Sequence, residues 1–84
     1  MCTYVTSTTA VAGSAGTGDE DWFSTERAVV YFDHPQDAPL EHALCIDVWG
    51  SGRRVAVELD AESARRLAQT ILATLEEDEV RPLL

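Results

Sequence analysis

Apolar and polar residues alternate with period two in three stretches of this chain, and a fourth stretch repeats at helical spacing. Ala28, Val30 and Phe32, then Leu44, Ile46 and Val48, then Val55, Val57 and Leu59 each place three apolar side chains on one side of an extended strand. Ala64, Leu67, Ala68, Ile71, Leu72 and Leu75 follow at i, i+3, i+4, i+7, i+8 and i+11, a single helical stripe. Ahead of these, the Thr- and Val-rich segment 2–12 reads as one more strand. The order is therefore β-β-β-β-α. Short connections favour an antiparallel sheet, and the matched faces call for a C-terminal helix laid over one side of it, an α+β fold. The expected core is the nine strand residues beneath the helix stripe.

Punctuation supports these elements. Asp60 is placed to cap the helix, with Glu62 in its first turn facing the positive end of the dipole. Pro35 and Pro39 break the chain between the second and third strands, because each lacks an amide donor and constrains its neighbour. Gly50-Ser51-Gly52 turns the chain between the third and fourth. Residues 13–21 are glycine-rich and acidic and read as a flexible connector; no Lys follows the glycines, as a phosphate-binding loop would require. The acids at 76–79 sit at the unfavourable end of the helix dipole, so 76–84 is expected to fray, with Pro82 ending regular structure. Residues 1–84 form one domain on this reading.

Charge narrows the partners. Fifteen acidic residues against six basic ones give a net charge of −9 over 84 residues. That balance argues against nucleic acid as a partner, since phosphate binding needs clustered Lys and Arg. An anionic membrane surface would repel the chain, and its apolar runs fall far short of the roughly 20 residues a span needs. The opening MCTYVTSTTAVAG has no basic region before an apolar one, so it does not read as a signal peptide. Cys2 and Cys45 belong to no pairing motif, which points to a cytoplasmic setting. The sheet face opposite the helix mixes Arg27, Val29, Tyr31, Cys45, Asp47, Trp49, Arg54 and Glu58. So short a chain buries little apolar area alone, and a homodimer through Val29, Tyr31, Cys45 and Trp49 is expected. Trp49 and Arg54 should meet there in a cation–π contact.

Matching the core faces fixes a register, because a one-residue slip would invert a whole strand. Phe32 pairs with Leu44, Val30 with Ile46 and Ala28 with Val48; Leu44 then pairs with Leu59. Carried outward, the same register sets His34 opposite His42, with Cβ atoms about 5 Å apart. Pairing the first strand with the second brings Cys2 towards Asp33 and His34. His34, His42, Asp33, Glu41 and Cys2 thus form a candidate metal site for zinc or copper, since imidazoles suit late first-row metals. The same histidines could instead serve as acid and base in a metal-free enzyme or small-molecule binder, with Tyr31 or Trp49 lining a pocket. A third alternative is an interaction module without chemistry. No catalytic residue stands out, and whether the chain is an enzyme stays open.

MCTYVT, AVVYFDHP followed by EHALCIDV, and VAVELDAESAR together resemble a small actinobacterial family of unknown function, over almost the whole chain. The resemblance implies a bacterial, cytoplasmic setting, with secondary metabolism as an association, and carries no activity to transfer.

Overall fold

The computed structural model describes residues 4–19, 21–34 and 41–84. Strands β1 (Val5–Ala10), β4 (Arg27–Asp33), β5 (Ala43–Gly50) and β6 (Arg53–Leu59) form a four-stranded antiparallel sheet in the order β1-β4-β5-β6. Two short strands, β2 (Ser14–Gly16) and β3 (Trp22–Ser24), pair in a separate hairpin, and helix α1 spans Ala61–Leu75. The fold is α+β. Every pairing set by the apolar faces is present: Phe32 with Leu44, Val30 with Ile46, Ala28 with Val48, and Leu44 with Leu59. Ser51 and Gly52 turn the chain between β5 and β6 with φ of 51° and 72°, both left-handed, as the tight turn of a twisted hairpin requires.

The segment 13–21 is only partly a connector. Ser14, Ala15 and Gly16 pair with Ser24, Phe23 and Trp22, and Thr25 and Glu26 separate β3 from β4, so the strand that carries Ala28, Val30 and Phe32 begins at Arg27. Glu26 donates its amide to the Trp49 carbonyl at 2.8 Å, while Thr25 donates to the Gly13 carbonyl at 2.9 Å. The hairpin crosses the helix-side face at Gly50, where a Cβ would stand 1.9 Å from the Ser24 carbonyl oxygen. Only glycine permits that approach. Arg53 fastens the hairpin by pairing with Asp21 and by placing its guanidinium 5.1 Å from the Phe23 ring centre.

α1 starts where Asp60 accepts the Ser63 amide at 2.6 Å and stops at Leu75, after which 76–80 run through turns. Pro82 sits inside a short 3-10 helix, Arg81–Leu83. The expected core requires a larger correction. Of the nine apolar strand residues only Ala28 is buried, Val57 is exposed, and α1 has no buried residue. The helix stands over the sheet without closing on it. The deeply buried positions of β4 and β5 include Asp33, Ala43, Cys45 and Asp47 on the opposite face, where long neighbours fold over small side chains.

Candidate functional site

Asp33 and Ala43 are the last paired residues of β4 and β5, so His34 and His42 flank the strand ends as the register requires. Their ring centres are 5.1 Å apart with planes inclined by 28°, and His42 stacks in turn on Phe32 at 5.8 Å. Tyr4, just ahead of β1, donates its amide to the Phe32 carbonyl. That bond brings its ring edge-on to His42 at 5.4 Å and its hydroxyl within 3.1 Å of His42 Nε2. Tyr4 is the residue that sequence reasoning missed.

The His34 Nδ1 lies 2.8 Å from the Glu41 main-chain carbonyl. A carbonyl only accepts, so Nδ1 carries the proton and the Nε2 lone pair of the neutral ring is left available. The acids play other parts than expected. Asp33 is buried on the opposite face, and its Oδ1 accepts the His34 amide at 2.7 Å. Glu41 is exposed and contacts His34 through its carbonyl, not its carboxylate. Cys2 lies outside the described residues. Of the five candidates, the two imidazoles are brought together. Among the described residues, no group of three His, Cys, Asp or Glu side chains is placed to hold a metal ion.

The mixed face is closed on itself. The Tyr31 hydroxyl donates to the Asp47 carboxylate at 3.2 and 3.3 Å, and Arg54 Nη1 reaches the same group at 3.1 Å. The Arg54 guanidinium lies 5.7 Å from the Trp49 ring centre, the expected contact, and Arg27 adds a second at 5.1 Å. Beneath them the Cys45 thiol points to the Ala43 carbonyl at 3.7 Å. Burial first, then the nearby Glu58, Asp33 and Asp47, raise its pKa above the usual thiol value. Burial and the Asp47 charge likewise raise that of Tyr31. A thiol so placed is a packing group, not a nucleophile.

Between α1 and the sheet runs an apolar groove of about 500 Å³, lined among others by Val30, Phe32, Leu44, Ile46, Leu67 and Ile71. Phe32 belongs to both the groove and the imidazole cluster. No helix among the described residues is long and apolar enough to cross a membrane.

Sheet, overlying helix and histidine pair together define a small α+β domain with a polar aromatic cluster at a sheet end and an open apolar groove. Residues 1–83 match the model of a family of unknown function, DUF6295, and the chain belongs to that family. No curated protein and no solved structure matches it.

Proposed function

We propose that the protein is a small transition-metal-binding domain in which His34 and His42 are the imidazole ligands, with zinc or copper as the ion. The observation that carries this is the His34 Nδ1–H bond to the Glu41 carbonyl, because it orients the ring and directs a lone pair at Nε2 outward, the arrangement metal-ligating histidines commonly have. Asp33 supports that geometry by holding the His34 amide. Water, the Glu41 carboxylate or Cys2 completes the coordination. Lone pairs lie in the ring planes, so stacked imidazoles do not aim at one point; His42 must turn away from Tyr4 to share an ion with His34. Metal therefore competes with the Tyr4–His42 hydrogen bond.

Isothermal titration of the wild type with Zn²⁺ and with Cu²⁺, beside His34→Ala and His42→Ala, tests the assignment. Binding to the wild type that both substitutions weaken by about tenfold or more is expected. Equal affinity in all three proteins, or no binding to the wild type, would overturn it.

A further inference from the structure

We infer that the groove between α1 and the sheet is closed by α1 of a second copy of this chain, packed antiparallel across a two-fold axis near Ile71. Surface area is the first support. The chain exposes 6380 Å², where a compact monomer of its mass would expose about 4,900 Å². The surplus exceeds the about 800 Å² per partner that a stable interface covers. It includes a stripe that a helix ordinarily buries: Leu67, Ile71, Leu72 and Leu75 are 43%, 52%, 65% and 42% exposed.

Charge selects a second copy and an orientation. α1 has no basic residue in its last turn, and Glu76 follows at the negative end of its dipole, an unfavourable place for an acid. Arg65 lines the groove. Among the described residues, neither the Arg65 nor the Glu76 side chain has a partner. At about 100° per residue, eleven positions return a helix to within about 20° of its starting direction, so Arg65 and Glu76 share one edge of the stripe. In an antiparallel pair like edges meet. An axis near Ile71 sets Arg65 of each copy against Glu76 of the other, and Leu67 against Leu75. Two ion pairs then flank an apolar seam, and each helix C-terminus gains a cation. The seam must also offset the mutual repulsion of two chains carrying −9 each. The interface lies on the helix side, not on the mixed face, whose Tyr31, Asp47 and Arg54 groups already satisfy one another. The assembly does not depend on the proposed metal.

Sedimentation equilibrium of the full chain at micromolar concentration, with a chelator present, provides the test. The wild type should be a dimer. Arg65→Glu and Glu76→Arg should each raise the dissociation constant about tenfold or more, and R65E/E76R should recover most of the loss. Leu72→Asp, at an exposed position, should give a monomer whose circular dichroism keeps the helix signal. A wild-type monomer would overturn the proposal. So would single charge reversals without effect, or a double reversal no tighter than either single. A dimer that survives Leu72→Asp but is lost in Tyr31→Asp would move the interface to the mixed face. A wild-type monomer that takes up a fluorescent apolar dye would give the groove to a small molecule instead.

Discussion

At His42 one nitrogen has two suitors, the Tyr4 hydroxyl and the proposed ion. Tyr4→Phe removes the first and leaves the ring packing in place, so metal affinity should rise several-fold, in line with a hydrogen bond of about 1 kcal/mol. Competition titration against a chromophoric chelator measures it. Because protonated imidazole has no lone pair to give, protons compete with the ion and binding should weaken as pH falls. On the other face Asp47 accepts from both Tyr31 and Arg54. Asp47→Ala leaves both donors without their partner and should cost about 1–3 kcal/mol in urea unfolding. The raised pKa and burial of Cys45 leave less thiolate at a given pH. Its alkylation at mildly alkaline pH should be slower than in the unfolded chain by at least about tenfold, read by mass spectrometry. The histidine pair was legible in the sequence because His34 and His42 continue a register pinned by three apolar pairs. Tyr4 was not. Every residue of β1 is exposed, so VTSTTA has no buried face to fix its register against β4.

Elements differ in how much of their fate is local. α1 carries its own start signal, and its apolar spacing appears in the sequence without reference to anything else. The Asp60 carboxyl is held below its ordinary value of 3.8, chiefly by the Ser63 amide. A depressed folded pKa means stability that is present above about 3.8 and is lost as pH falls through the lower, folded value. Acid titration followed by circular dichroism should therefore show helix loss in that window, and Asp60→Ala should flatten it while lowering Tm by a few degrees. The β2–β3 hairpin is the contrary case. Its strands have three residues each and its glycines resemble any connector, so pairing there depends on distant partners: Arg53 against Phe23 and Asp21, and Gly50 beneath Ser24. Gly50→Ala would drive a methyl group into the Ser24 carbonyl, and a loss of about 1–3 kcal/mol or more is expected, measured by urea unfolding. Periodicity also showed which side of β4, β5 and β6 faces the helix. It could not show how closely the helix approaches, because spacing encodes direction and not distance.

For the whole molecule, the sheet order carries information about time as well as space. β4, β5 and β6 form a meander in which Phe32 meets Leu44 and Val48 meets Val55, neighbours across short loops. Val5, by contrast, must find Phe32 across 27 positions, and closing the longer loop costs more chain entropy before any contact repays it. Among the described residues β1 is also an exposed edge strand, bonded to β4. Strand β1 should therefore be the last to dock and the first to leave, its amides exchanging with deuterium well ahead of those in β5. The imidazoles belong to the early part of this sequence and Tyr4 to the late part. A newly made chain would thus present an uncovered histidine pair before the tyrosine arrives, and each later detachment of β1 would reopen it briefly. For the proposed metal site, the lifetime of strand β1 as well as the Tyr4–His42 hydrogen bond would then set how often an ion could enter.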